Sequence, residues 1–127
     1  MTNLRTMPSK RDIAKLYIEA LASGNQETIC ALFSNEAMVD SPIYGLLNAR
    51  EFFKRLMADT KESKLVIHRI FEDTLSGELA LYFEYKWQLN SEAQVHFDVV
   101  DIMRFDSDNS IVNLKIIYDT HQARQQI

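Results

Sequence analysis

An aspartate occupies a position where the surrounding pattern predicts a buried apolar side chain. Asp101 lies in a segment of alternating polar and apolar residues, and by parity it shares one face with Val99 and Met103. Burying an ionised carboxylate without a partner costs several kcal/mol, so the group must be paired, protonated or open to a wet cavity. A protonated acid could donate a hydrogen bond to a ligand. A bond to the backbone, or to Arg104 after a local bulge, is an equally weighted alternative.

A tyrosine on the first predicted helix is the natural partner for this acid. Tyr17 lies on the apolar face of that helix, and a buried phenol must find a hydrogen-bond partner. Taken alone, Tyr17 also fits an ordinary core position with one satisfied hydroxyl. If its hydroxyl and the acid of Asp101 meet in one hollow, they can hold a carbonyl or phenolate oxygen. We call Tyr17 and Asp101 the donor pair.

The other inward-facing positions of the predicted strands are mostly aromatic or aliphatic. Alternation places them on the same side of the sheet as Asp101, where they would line a pocket. Such a pocket suits a small hydrophobic molecule that carries a carbonyl or phenol group. The predicted lining residues on the strands are Phe83, Trp87, Phe97, Val99, Met103, Leu114, Ile116 and Tyr118.

Several other kinds of site have no support in the sequence. His68, His96 and His121 stand in unrelated contexts without metal-site spacing such as HExxH, so no metal is expected. Nucleophile-elbow, P-loop and dinucleotide-binding motifs are missing, which argues against acyl transfer by that fold, nucleotide hydrolysis and hydride transfer. Cys30 is the single cysteine, and its apolar helical context predicts a buried, inert thiol. No cofactor is expected.

Composition narrows the class of protein further. The chain has 127 residues, a hydrophobic fraction of 46% and only 3 Gly and 2 Pro, which is typical of one globular domain over residues 1–127. Its net charge of -4 is spread over interleaved acidic and basic residues, so nucleic acid is not an expected partner. No stretch approaches the roughly 18 consecutive apolar residues of a membrane span. We therefore expect a cytoplasmic protein without a membrane partner.

Three helices are predicted in the N-terminal half of the chain. Each has a capping residue followed by apolar residues at a spacing of three and four. The first helix covers residues 9–22, with Ser9 as cap and Gly24 as stop. The second follows the cap Asn25 and includes Ile29, Leu32 and Phe33. The third begins at Asn48, where Glu51 would complete a capping box, and has Met57 on its apolar face.

After the third helix the apolar period changes from about 3.6 to 2, which indicates strands. An earlier short strand is predicted over residues 37–41 and ends at Pro42, which cannot donate to a central ladder. Helices followed by an antiparallel meander predict an α+β domain whose helices pack on one face of a curved sheet. The long strands are predicted over residues 64–75, 79–89, 95–105 and 112–118.

The order of elements and three stretches resemble the bacterial ketosteroid isomerases, within the broader nuclear transport factor two-like or SnoaL-like group. The stretches are LYIEALASGNQETICALFSNEAMVDSP, the helix that begins NAREFF, and DVVDIMRFDSDNSIVNLKIIY. The resemblance covers nearly the whole chain and implies a cone-shaped curved antiparallel sheet with the three helices on its concave face. It also implies that Tyr17 and Asp101 form an oxyanion hole whose acid stays protonated, and that the protein is a homodimer.

The chain departs from this family at the position of the general base. The family has an aspartate directly before the proline of the first strand, and Ser41 stands there, one residue after Asp40. A one-residue offset turns a side chain to the opposite face of a strand, so Asp40 reaches the pocket only if a bulge intervenes. Phe33 and, approximately, Met57 occupy positions where the family has further tyrosines, and Tyr118 stands where the family often has a pocket tryptophan.

Three functional hypotheses follow. The preferred one is a pocket protein resembling steroid delta-isomerase that binds its ligand without turnover, because Ser41 replaces the base. The alternative is an active isomerase or cyclase that moves a proton next to a carbonyl, with Asp40 as the base. The third is a structural homodimer whose cavity is filled by side chains and whose interface is the outer sheet face, where parity places Tyr82, Ile102 and Ile117.

Overall fold

The computed structural model describes residues 7–126, which form four helices and six strands. The chain order puts helices early and long strands late, as the change of period predicts. In order, the elements are α1 (Lys10–Ser23), α2 (Gln26–Cys30), β1 (Phe33–Ser41), β2 (Gly45–Asn48), α3 (Ala49–Asp59), β3 (Thr60–Glu72), β4 (Leu79–Leu89), β5 (Gln94–Phe105), β6 (Ile111–Ile117) and α4 (His121–Gln126).

Helix α1 has a well-defined start and end. The Ser9 hydroxyl accepts a hydrogen bond from the Asp12 N–H at 3.1 Å, and the Asp12 carboxylate accepts one from the Ser9 N–H at 3.4 Å. Gly24 ends the helix with a φ of 72°, a left-handed conformation that glycine adopts without steric cost. Between these ends, α1 buries the face that contains Tyr17.

The six strands form one sheet in the order β2-β1-β6-β5-β4-β3. Strands β3 to β6 form the predicted antiparallel meander, and β2 pairs antiparallel with β1. One pairing departs from this antiparallel pattern, because β1 joins β6 in parallel. That pairing joins the beginning of the domain to its end, and it leaves a curved sheet whose edges do not close. The predicted α+β class is confirmed.

Local expectations differ from the structure where tertiary pairing competes with helical spacing. Phe33 was expected in the second helix, but α2 ends at Cys30 and Phe33 begins β1, opposite Ile111 of β6. Glu51 does not complete a capping box. The Asn48 side chain caps α3 by accepting from the Arg50 N–H, and Glu51 pairs with Arg55 at 2.8 Å. The short elements β2 and α4 were not expected.

The helices of the N-terminal half cover the sheet and enclose the core. Helix α1 contacts β3 and β4, α3 contacts β1, β2 and β3, and α2 contacts both helices and β1. The core between them includes the buried, inward-facing side chains of β4, at alternate positions from Leu79 to Leu89. Asp101 is buried within this otherwise apolar interior.

Candidate ligand-binding site

Asp101 lies in the interior of the sheet, on β5 between β4 and β6. Its partners in register are Leu81 and Ile116, and only 1% of its surface is exposed. Neither carboxylate oxygen has a hydrogen-bond partner among residues 7–126. Burial raises the pKa of this carboxyl well above its ordinary value, because the ionised form would lose its hydration. Burial therefore favours the neutral form of Asp101, which has a proton to donate.

The structural alternatives for Asp101 are not found. Arg104 is exposed, and the register shift between β5 and β6 falls after it, between Arg104 and Phe105. Strand β5 pairs with β4 without a shift on either side of Asp101. Within the described part of the chain, neither a backbone group nor Arg104 satisfies the acid. Its hydrogen-bonding capacity is unused.

Tyr17 faces the same interior from α1. It is 1% exposed, and its ring makes edge contacts with Phe33 and Phe53, each with centroids 6.1 Å apart. Burial above all, and then the charges of Asp101 and Tyr85, raise the pKa of the Tyr17 phenol well above its ordinary value. Burial therefore favours the protonated phenol, and Tyr17 and Asp101 are both buried in the interior of the domain.

The predicted lining residues divide into a buried group and a half-buried group, and both belong to the core. The half-buried group includes a stacked aromatic pair, Phe97 and Tyr118, with ring centroids 4.4 Å apart and an interplanar angle of 17°. The buried lining residues are Phe33, Phe83, Trp87, Val99, Met103 and Leu114, and the half-buried ones are Met57, Phe97, Ile116 and Tyr118.

The expected hollow beside the donor pair is closed in this structure. Five cavities of about 240 to 460 Å³ lie in the described part of the chain, and none of them is lined by Tyr17 or Asp101. A cavity of about 240 Å³ lies outside the interior that contains the donor pair, between the ends of β1 and β6, and is lined in part by Ser41, Ile116 and Tyr118. Tyr17 and Asp101 are therefore shielded from solvent by the surrounding core.

Ser41 and Asp40 lie on opposite faces of β1, as strand parity requires. Ser41 is 6% exposed, and its hydroxyl accepts a hydrogen bond from the Tyr44 N–H at 3.1 Å. Asp40 lies on the outer face with its carboxylate 3.7 Å from the Lys115 ammonium of β6. The register from Met38 to Ser41 contains no bulge. The structure does not bring Asp40 to the donor pair, so the geometry that Asp40 would need in order to act as the base is not found.

Sequence reasoning missed a row of polar groups inside the domain. The Tyr85 hydroxyl shares a hydrogen bond with the Ser63 hydroxyl at 2.9 Å, and the Trp87 indole N–H donates to the Thr60 hydroxyl at 2.8 Å. Alternation already placed Tyr85 and Trp87 on the inner face of β4. Their partners were missed because β3 begins at Thr60 rather than at residue 64.

A second missed pair lies between the β1–β2 turn and the end of α3. The Tyr44 hydroxyl donates to the Asp59 carboxylate at 2.5 Å, and the Tyr44 ring packs edge-on against Phe52 with centroids 5.7 Å apart. Desolvation by burial, followed by the hydrogen bond to Asp59, raises the pKa of the Tyr44 phenol, so the phenol remains the donor. Nothing local in the sequence indicates this contact, because the hairpin that presents Tyr44 was not expected.

The histidines and the cysteine take no part in this region. His68 and His96 approach Glu84 on the outer sheet face, at 3.7 and 2.5 Å, and His121 begins α4. Within residues 7–126, no group of histidine, cysteine, aspartate or glutamate could hold a metal ion. Cys30 is a buried free thiol whose pKa is raised by burial. Across the same residues, no helix has the length and apolar character needed to cross a membrane.

Several solved structures share this fold. A nuclear transport factor two-like protein of unknown function from Cytophaga hutchinsonii is 18% identical, with a TM-score of 0.75 and coverage of 95% of this chain and 99% of that one. A protein with a ketosteroid isomerase-like fold from Catenulispora acidiphila, solved with trimethylamine, is 14% identical, with a TM-score of 0.77 and coverage of 95% and 93%. The epoxide hydrolase/cyclase-like enzyme SalBIII of salinomycin formation is 12% identical, with a TM-score of 0.77 and coverage of 89% and 92%.

These likenesses show that the chain has the fold of nuclear transport factor two-like and ketosteroid isomerase-like proteins. The sequence profile of the SnoaL-like domain matches residues 14–114, which is most of the chain. The chain therefore belongs to the SnoaL-like family, and the resemblance stated from the sequence is confirmed. A search of curated proteins found no significant sequence match. Family members include cyclases and isomerase-like enzymes, so membership alone leaves the activity open.

Proposed function

We propose that this domain binds a small hydrophobic molecule through a carbonyl or phenolate oxygen that accepts hydrogen bonds from the donor pair. The observation that carries the proposal is the acid of Asp101, which is buried with both oxygens unpartnered among the described residues. Leaving such a group unsatisfied costs about 1–3 kcal/mol. A ligand oxygen would supply the missing acceptor, and binding would recover much of that free energy.

The chemistry of the donor pair favours an oxygen acceptor over a cation. Burial keeps protons on both Tyr17 and Asp101, so both present O–H groups to a ligand. The surrounding core side chains are aromatic or aliphatic, which suits the apolar remainder of such a ligand. Entry requires outward rotation of half-buried residues, of which Phe97 and Tyr118 form the stacked pair.

Fluorescence of Trp87 provides the direct test. Trp87 is the only tryptophan of the chain, and it is buried beside Tyr85 with ring centroids 6.0 Å apart. We expect hydroxybiphenyl and naphthol to quench its emission and to raise the melting temperature. Replacement Asp101→Leu, which keeps similar volume but removes the donor, should weaken binding by about tenfold or more.

The matched control for this titration is Asp98→Leu on the same strand. Asp98 lies on the opposite face, with 62% of its side chain exposed, so its replacement should leave the affinity unchanged. Unchanged fluorescence together with an unchanged melting temperature in the natural protein would refute a ligand pocket.

A second candidate function is catalysis of proton transfer next to a carbonyl. Two protonated donors at one place are the arrangement that stabilises a developing enolate. The inward position 41 carries a serine, which does not take a proton readily at neutral pH. We therefore rank strict isomerase activity below binding. Conversion of a β,γ-unsaturated ketosteroid to its conjugated enone measures it.

We also expect a cytoplasmic homodimer that uses the outer sheet face. Ile117 on that face is 47% exposed, and Tyr82 and Ile102 are half-buried. An apolar surface of this kind is stabilised by a second copy. Light scattering at micromolar concentration should give twice the chain mass, whereas a monomeric mass would contradict the dimer.

A further inference from the structure

The Tyr44–Asp59 pair is fixed in place by contacts from several sides. The turn that carries Tyr44 is tied to β1, because the Ser41 hydroxyl accepts from the Tyr44 N–H at 3.1 Å. The same turn is tied to α4, because the Arg124 guanidinium donates to the Pro42 carbonyl at 2.9 Å. The Tyr44 hydroxyl then holds the Asp59 carboxylate at 2.5 Å. The carboxylate is therefore held by a residue whose backbone is itself anchored to position 41.

Asp59 is adjacent in sequence to the row of polar groups inside the domain. The next residue, Thr60, receives the Trp87 indole N–H at 2.8 Å, and Tyr85 beside Trp87 shares its hydroxyl with Ser63 at 2.9 Å. The ring of Tyr85 also lies 5.6 Å from that of Phe97. Asp59 and the residues of this polar row thus belong to one region of the domain.

Electrostatic interactions connect the two ends of this row. The pKa of Tyr85 is raised chiefly by burial and also by the charges of Tyr118 and Asp101. The pKa of Tyr44 is raised chiefly by burial and the bond to Asp59, and further by the charges of Tyr118 and Tyr85. These interactions agree with the ring contacts, in which Tyr85 lies against Phe97 and Phe97 stacks on Tyr118. Tyr118 in turn lines a cavity together with Ser41, whose hydroxyl accepts from the Tyr44 N–H.

The position of Asp59 in its helix is unfavourable for a carboxylate. Asp59 is the last residue of α3, where the helix dipole disfavours negative charge, and the last turn of α3 contains no basic residue. Among residues 7–126, no cationic side chain forms an ion pair with it. Neither the helix dipole nor an ion pair would stabilise a negative charge on Asp59.

We propose that Tyr44 and Asp59 form an acceptor subsite that binds a hydroxyl group at the end of the ligand remote from the donor pair. The inference rests on the proposed function, since it needs a ligand held by Tyr17 and Asp101. It narrows the ligand class to apolar molecules with an oxygen acceptor at one end and a hydroxyl donor at the other. Asp59 accepts the ligand hydroxyl, and Tyr44 is the positioning residue that orients the carboxylate.

Calorimetric titration with matched ligands tests the acceptor subsite. Each monohydroxy compound is compared with the diol of the same skeleton, using phenol with hydroquinone, naphthol with naphthalenediol, and hydroxybiphenyl with biphenol. The three lengths allow for the spacing between the two ends of the site. We expect at least one diol to bind the natural protein about tenfold more tightly than its partner, since hydrogen bonds to charged groups are the stronger ones.

Three variants test which residues cause the tighter binding of the diol. Asp59→Ala should abolish the preference, so that the diol binds no more tightly than the monohydroxy compound of the same skeleton. Tyr44→Phe should reduce the preference partly, because the carboxylate loses its orienting bond. Asp40→Ala removes the neighbouring carboxylate on the outer face and should leave the preference intact. Melting temperatures establish that each variant is folded, and Asp59→Asn serves if the alanine variant is not.

The outcomes separate this inference from the one on which it rests. If no monohydroxy compound or diol binds the natural protein, both the proposed function and the subsite are wrong. If monohydroxy compounds bind but no diol has an advantage, the pocket stands and the subsite is wrong. The subsite is equally refuted if the preference survives in a folded Asp59→Ala variant.

Discussion

Replacing Asp101 by asparagine should change the pH dependence of stability more than any other single substitution. Asparagine has nearly the same shape and does not titrate. In the unfolded natural chain the carboxyl has its ordinary pKa of about 3.8, and in the folded protein burial raises that pKa well above this value. Between these two values folding takes up a proton, so the natural protein loses stability relative to Asp101→Asn as the pH rises.

The expected slope is about 1.4 kcal/mol per pH unit from about pH 4 up to the folded-state pKa, and this contribution is fully present below pH 4. Urea unfolding at several pH values, measured on both proteins, gives the difference directly. Asp98→Asn on the same strand is the control, because that side chain is exposed to water. Parallel stability curves for the natural protein and Asp101→Asn would show that the acid is not buried in neutral form.

Replacing Ser41 by aspartate should create isomerase activity or raise it greatly. Position 41 faces inward and is 6% exposed, and the Tyr44 N–H already donates to the side chain there. A carboxylate at this position could take a proton from a ligand held by the donor pair, whereas serine cannot do so readily. A positioned general base contributes typically 10²- to 10⁴-fold in rate. The conjugated enone formed from a β,γ-unsaturated ketosteroid is followed by its absorbance.

Two further variants make this result specific. Ser41→Asn places a neutral side chain of the same size as aspartate at position 41, and this variant should remain inactive. Adding Asp40→Asn to Ser41→Asp should leave the new activity intact, because Asp40 pairs with Lys115 on the outer face. A folded Ser41→Asp variant that stays inert would mean that the interior lacks the geometry for proton transfer, and it would weaken the roles given to Tyr17 and Asp101.

The two proposals about carboxylates concern different steps. An aspartate introduced at position 41 would act on the reacting end of a ligand, next to the donor pair. Asp59 is proposed to recognise the other end, so its removal should alter ligand preference without removing the donors. Activity gained at position 41 and preference lost at position 59 are thus independent measurements on one site.

Much of the fold could be predicted because short-range chemistry specifies it. The Ser9 cap and the Gly24 stop are local signals, and both are found where the residue types indicate. The alternation along β4 likewise assigns its inner face. Phe33 shows the limit of such signals. Its spacing from Ile29 matches a helix, but pairing of β1 with β6, far along the chain, makes it a strand residue.

In the candidate site, too, local sequence signals predicted some features and long-range contacts decided the others. The sequence alone determined that Asp101 faces inward and that Ser41 and Asp40 face opposite ways, because side-chain direction in a strand follows from parity. The family resemblance indicated that position 41 is the inward one of the two. Only the tertiary structure decided that no described group satisfies Asp101, that side chains close the interior, and that Tyr44 meets Asp59 across 15 positions of the chain. Parity is a property of neighbouring residues, whereas satisfaction, closure and contact depend on segments that the completed sheet and its helices bring together.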